Sequence, residues 1–153
     1  MEQLKDIEAR QLIENMNRID FFNAFSDGEK RELVASYTPV CVFGKNESII
    51  KEETDETSFY ILLTGSARAM KKTVSLPFAE YGPGDSFGEI SFLTGALRTC
   101  EIIANEVSIA IRIDKSTLEG LKIEIREKMK DKIIENLVER LKNMNNAFIS
   151  LFQ

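Results

Sequence analysis

One stretch constrains this chain more than any other: Gly82-Pro-Gly-Asp-Ser-Phe-Gly-Glu-Ile-Ser-Phe-Leu-Thr-Gly-Ala-Leu-Arg-Thr99. Gly82, Pro83 and Gly84 together rule out a helix or a central strand and demand a turn. The apolar run Phe87 to Leu93 is long enough for about two helical turns and is closed by Thr94-Gly95. Arg98 then heads a β-type run, Cys100 to Ala104. Turn, short helix, loop and cation suit the holding of a small anion. The first amides of a helix lack intrahelical partners, and a guanidinium forks onto two oxygens at once. Glu89, at the start of the short helix, is placed either to cap it or to accept a hydroxyl hydrogen bond.

The remaining pattern predicts a mainly β chain with flanking helices. Leu4, Ile7, Leu12, Ile13 and Met16 form a helical stripe. Ser26-Asp-Gly-Glu29 reads as a capping box opening a helix over about 27–36 that stops before Pro39. Phe21, Phe22 and Phe25 are expected to pack this helical segment onto a sheet. Short runs with turns between them follow from Thr38 to Ile113, the all-β signature. They are Val40–Phe43, Ser48–Lys51, one long strand from Phe59 to Met70 broken at Gly65, Val74–Tyr81, Cys100–Ala104 and Val107–Ile113. About seven or eight strands imply a closed or double-sheet roll, of the jelly-roll-like or double-stranded β-helix kind, in which each strand hides one face. Asp114 to Glu119 starts another helix with Gly120 as its stop, and 121–152 holds no proline or glycine. Ile134, Leu137, Leu141, Met144, Phe148 and Leu151 recur at heptad spacing, a seam that must pack on the roll, on a second copy or on an effector protein. The expected layout is one domain over 1–153: a helical segment 1–37, the roll 38–113, and C-terminal helices 114–153.

Phe87-Gly88-Glu89-Ile90-Ser91, followed after a gap by Arg98-Thr99, resembles the phosphate-binding cassette of the cyclic nucleotide-binding domain family. That family includes catabolite-activator-type sensors, kinase regulatory subunits and cyclic nucleotide-gated channels. Ser48 to Glu53 and Ser58 to Gly65 resemble its paired upstream strands, so the similarity runs from about Ile19 to about Asn145. The resemblance implies a β-roll with helices at both ends and a 3′,5′-cyclic purine nucleotide, cyclic AMP or cyclic GMP, as ligand. It implies that Arg98 pairs with the cyclic phosphate and Glu89 accepts from the ribose hydroxyl. Gly88 would admit the sugar, Ile90 and Ser91 would offer amides to the phosphate, Thr99 would offer its hydroxyl, and Phe87 belongs to the same ligand-binding set. A structural ion pair of Arg98 with Glu89 or Glu101 is the competing reading, since no other partner is evident in the sequence. The C-terminal helix would fold over the purine, with Val138, Arg140, Leu141 or Lys142 as the lid.

The chain departs from the family pattern at four places. Leu97 stands where proline is usual, which loosens that turn. Glu101 stands where a serine or threonine is usual, repelling phosphate if it faces inward. Asn46 and Glu53 replace two turn glycines, and glutamate adopts a left-handed conformation poorly, so the second loop is expected to differ in shape.

Composition narrows the alternatives. The 153 residues are 43% hydrophobic and 29% charged with a net charge of −5, which gives no basic face for DNA or an anionic membrane. No apolar run reaches the ~20 residues of a membrane span and no signal-peptide pattern opens the chain, so a cytoplasmic location is expected. Histidine is absent, which removes the usual metal sites of a β-roll, the Ser-His catalytic arrangements and haem ligation. Cys41 and Cys100 lie in strand-like runs and read as buried free thiols. No enzyme, metal or cofactor is expected. Residue 153 comes directly after the long helix, so a DNA-reading module is not expected. The chain's output is therefore expected to pass to an effector protein or to a homodimer partner through the C-terminal helix. The alternative is a degenerate relative that binds no nucleotide and serves as an interaction or scaffold domain.

Overall fold

Burial on both faces of β3, Phe59–Thr64, sets the architecture. Phe59, Ile61 and Leu63 point to one side, into a cluster shared with the helices, and Tyr60 and Leu62 point to the other, into the interior of the roll. A strand covered on both faces reads as an unbroken apolar run, and this one does. In the computed structural model, which describes residues 2–35 and 40–153 (side chains from residue 8 onward), β3 lies in a four-stranded antiparallel sheet of order β1-β8-β3-β6. Its neighbours there are β1 (Val40–Phe43), β8 (Ser108–Ile113) and β6 (Ser86–Phe87). A second antiparallel sheet has the order β2-β7-β4-β5, from Ser48–Ile50, Glu101–Ala104, Ala67–Lys71 and Val74–Tyr81. Ile50, Ala67, Ala69, Phe87, Ile102, Ala104 and Ala110 fill the space between the two sheets. Mainly β with flanking helices, the β-roll is as expected.

The expected single strand from Phe59 to Met70 is two strands in different sheets. The chain crosses from one to the other at Gly65, whose φ is +90°. A Cβ there would fall 2.8 Å from Ser108 Cα, so neither the conformation nor the space admits a side chain.

Helices close the outer face of the first sheet. α1 (Glu2–Asn17) leads to a 3-10 turn, Asp20–Phe22, and then to α2 (Asp27–Ala35). The Ser26 box is formed: Glu29 N–H donates to Ser26 Oγ (3.2 Å) and Ser26 N–H to Glu29 Oε1 (2.9 Å). Phe21, Phe22 and Phe25 pack ring against ring, with centroids 4.9 to 6.5 Å apart, and are buried with Met16 and Leu33. The Leu4 and Ile7 side chains, the Pro39 stop and the 37/38 boundary lie outside the described residues.

Cassette helix α3 spans Glu89–Thr94, and α4 spans Lys115–Gly120 with Asp114 Oδ1 capping Thr117 N–H at 2.7 Å. The long α5, Ile123–Ser150, buries Ile125, Met129 and Ile133 in the helical core and leaves most of the Ile134–Leu151 seam exposed. No described helix is long and apolar enough to cross a membrane. Replacing Gly65 by alanine should cost about 2–5 kcal/mol, the sum of left-handed strain and overpacking, measured by urea unfolding. A loss under about 1 kcal/mol would mean that the corner relaxes freely.

Candidate functional site

The cassette is stitched to β3 before it does anything else. Gly82 N–H donates to Asp85 Oδ2 (2.8 Å), Gly84 N–H to Leu62 O (2.8 Å) and Leu62 N–H to Asp85 O (2.9 Å). β6 then pairs Phe87 with Tyr60 and Ser86 with Ile61, bringing the chain to Gly88 at the mouth of the roll. Gly88 has φ +87°, and an added Cβ would meet Arg98 Nη1 at 2.9 Å and Ser58 O at 3.0 Å. Only glycine lets the arginine lie this close.

Arg98 is 4% exposed. Its Nη1 donates to Gly88 O (2.9 Å), and its Nη2 donates to Glu56 Oε2 (2.6 Å) and to Ser58 O. The partner is thus Glu56, in the loop before β3, rather than Glu89 or Glu101. The guanidinium Nε is buried without a partner. A buried charged group left with an orphan N–H is an arrangement that an incoming acceptor would complete. The backbone is pinned as well: Arg98 N–H donates to Thr54 O (2.9 Å) and Glu53 N–H to Arg98 O (2.8 Å).

This clasp explains the second loop. Glu53 has φ +65° and Asn46 φ +67°, so both adopt the left-handed conformation despite having side chains. Both φ values lie in the left-handed region, and Glu53 carries the strain. Glu56 is also held by Ser58 N–H (2.8 Å), and Arg112 Nε lies 3.7 Å from its other oxygen. Burial alone would raise the Glu56 carboxyl, but hydrogen bonds from Ser58 and Arg98 outweigh it and hold the group below its ordinary 4.5.

Glu89 is 2% exposed and accepts from Ser86 Oγ at 2.6 Å. Two residues of α5 reach this point. Asn136 Nδ2 donates to Ser86 Oγ (3.1 Å), and Arg140 donates to Ser86 O while its Nη1 stands 3.5 Å from Glu89 Oε2. Of the four lid residues considered, it is Arg140 that touches the cassette. Phe87 is buried inside the roll, and Ser91 is buried on α3. Ile90, Leu97 and Thr99 are exposed. The outward position of Glu101, opposite Met70 on β4, keeps its carboxylate out of the roll, whose interior Ile102 and Ala104 enter instead. The cluster at Gly88, Glu89 and Arg98 is closed by internal partners. A cleft of about 420 Å³ lies beyond the cassette turn, between Ile19, Phe21, Pro83, Asp85 and Asn136.

Sequence reasoning missed Glu56, Ser58 and Ser86. Ser86 stands three residues before Glu89 and was legible as a neighbour, but Glu56 is 42 residues from Arg98 and no local signal announces it.

Two outcomes follow from the clasp. Glu53→Gly should stabilise the fold by about 1 kcal/mol, read by urea unfolding, because it relieves left-handed strain and loses only an exposed bridge to Lys72. The Glu56 carboxyl is held below its ordinary value in the folded chain, so its contribution to stability is present above about pH 4.5 and fades as pH falls. Subtracting the stability–pH curve of Glu56→Gln from that of the parent should isolate this fade; parallel curves would remove Glu56 from the account.

The cyclic nucleotide-binding domain model matches residues 40–123. The cAMP-dependent protein kinase regulatory subunit of Aspergillus fumigatus is 32% identical over 82 residues, which are 53% of this chain and 20% of that protein. The chain therefore spans about a fifth of the length of such curated relatives. Among solved structures, a cyclic nucleotide-binding domain from Methylobacillus flagellatus KT superposes with a TM-score of 0.78 at 20% identity, covering 95% of this chain and 84% of its own. A PKAR CBD2 structure with Sp-2Cl-cAMPS bound gives 0.71 at 20% identity, covering 94% and 93%. These structural likenesses are of fold, and they agree with the sequence match. The chain belongs to the cyclic nucleotide-binding domain family.

Proposed function

We propose that this chain binds a 3′,5′-cyclic purine nucleotide, cyclic AMP or cyclic GMP, through Phe87, Gly88, Glu89, Ile90, Ser91, Arg98 and Thr99, and transmits occupancy through α5. The observation that carries this reading is the Arg98 guanidinium: buried, fixed by Gly88, Ser58 and Glu56, and left with an Nε–H that has no acceptor. A cyclic phosphate supplies the oxygens that such a group lacks. The kinase regulatory relatives and the Sp-2Cl-cAMPS-bound neighbour support the choice of ligand.

The mechanism is a competition between resident and incoming partners. Glu89 is the expected ribose acceptor, and Arg140 of α5 stands against it. A ribose hydroxyl taken by Glu89 displaces Arg140, so ligand affinity and the seating of α5 are coupled in both directions. The exposed half of α5 then meets an effector protein or a second copy in the cytoplasm. No reaction is assigned: the residues hold a ligand and need no cofactor to do so.

Titration calorimetry with cyclic AMP and cyclic GMP separately, on protein freed of any co-purified nucleotide, tests the reading. Arg98→Lys keeps a charge but loses the planar fork. It should weaken binding about 10- to 150-fold, the equivalent of losing 1.5–3 kcal/mol of charged hydrogen bonding. Amide exchange over 134–150 should change on saturation. Absence of heat and of any thermal shift with both nucleotides would put the scaffold role first.

A further inference from the structure

Ser86 and Phe87, the two residues of β6, face opposite ways. Phe87 lies opposite Tyr60 and fills the roll, whereas Ser86 lies opposite Ile61, which belongs to the helical core on the other side of the sheet. A hydroxyl on that face, with Ser86 0% exposed, needs partners from the elements around it. It has one from each side. Ser86 Oγ donates to Glu89 Oε1 of α3 at 2.6 Å and accepts from Asn136 Nδ2 of α5 at 3.1 Å.

Chemistry dictates the direction of these two bonds. A hydroxyl has one proton to give, and a carboxylate only accepts. The Ser86 proton therefore goes to Glu89, and Asn136 must present its N–H rather than its carbonyl. This commits one oxygen of Glu89 to a short, charge-assisted bond and leaves Oε2 to the looser approach of Arg140, 3.5 Å away. The carboxylate cannot turn without giving up the bond to Ser86, so Oε2 keeps one direction.

In a 3′,5′-cyclic nucleotide the 3′ and 5′ oxygens are esterified to the phosphate, so the 2′-hydroxyl is the one the sugar still has to donate. We propose that Ser86 is a positioning residue for that contact: it holds Glu89 so that Oε2 receives the 2′-hydroxyl, and Asn136 aims the serine proton. This rests on the nucleotide-binding reading above and deepens it. Preference for a ribose over a 2′-deoxyribose then depends on two residues placed behind the acceptor rather than at it.

The experiment is titration calorimetry of cyclic AMP and 2′-deoxy cyclic AMP, with the guanine pair alongside, on three proteins. The parent should prefer the ribose form by about 10- to 150-fold, the range for a hydrogen bond to a charged group. Ser86→Ala frees Glu89 to turn and should shrink this preference at least about fivefold, through weaker binding of the ribose form. Asn136→Asp keeps the shape but replaces a donor by an acceptor, so two carboxylates contend for one serine proton. It should shrink the preference as well. Repulsion of an anionic ligand by the new charge lowers both affinities alike and leaves their ratio.

Asn136 is only half-buried, so its variant carries the test even if loss of the buried hydroxyl at Ser86 prevents folding. A preference equal to the parent's in both variants would overturn the positioning role, since a contribution to packing alone weakens both ligands equally. Loss of preference in Ser86→Ala alone would keep the serine and overturn the aiming by Asn136. A parent that binds the ribose and deoxyribose forms equally would overturn the whole inference with nucleotide binding intact. A parent that binds neither would sink the underlying reading and this inference with it.

Discussion

A guanidinium taken out of water must be given acceptors, and much of this protein's upper end is arranged around that demand. An unpaired buried charge costs several kcal/mol, so Arg98 can lie at 4% exposure only because Glu56, Ser58 and Gly88 converge on it. Those three come from the loop before β3 and from the cassette, segments some 30 residues apart in sequence. The arginine thus ties the second loop to the cassette and closes the roll at that end. The absence of a side chain at Gly88 and the left-handed turn at Glu53 are both conditions for this convergence. Evidence of its weight is that Glu53 adopts a conformation its side chain disfavours.

Much of this was legible in the sequence, and the legible parts share a cause. The Ser26–Glu29 box, the turn at Gly82–Gly84 and the short helix after Phe87 all rest on interactions within a few residues. Local chemistry fixes them, and they appear where expected. Gly65 was visible as a break but not as a change of sheet, because the second sheet exists only once β4 pairs with β5 and β7. Glu56 was invisible for the same reason: its distance from Arg98 is set by how β3 folds back, and periodicity carries no trace of it. Arg140 could be narrowed to one of four residues on α5, and only the helix's seating selects it.

The two halves of α5 behave differently. Ile125, Met129 and Ile133 hold the first half in the helical core at four-residue spacing. Beyond Ile134 the apolar seam faces outward except at Leu137, which packs partly on that core, so packing with the domain holds that half only weakly. Asn136 and Arg140, just past the change, are its attachments to the cassette. They are polar and exchangeable, which is what a coupling element requires and a structural anchor does not.

The double occupancy of the candidate site has a consequence for sensitivity. Arg98 and Glu89 are both engaged before any ligand arrives, so a nucleotide would enter by exchange rather than by filling a void. Each contact given up is subtracted from the free energy of association, and every 1.4 kcal/mol so lost raises the dissociation constant tenfold. On the proposed function, the resident Glu56 and Arg140 therefore act as a threshold. They bias the domain against a low background of messenger and favour prompt release when the concentration falls.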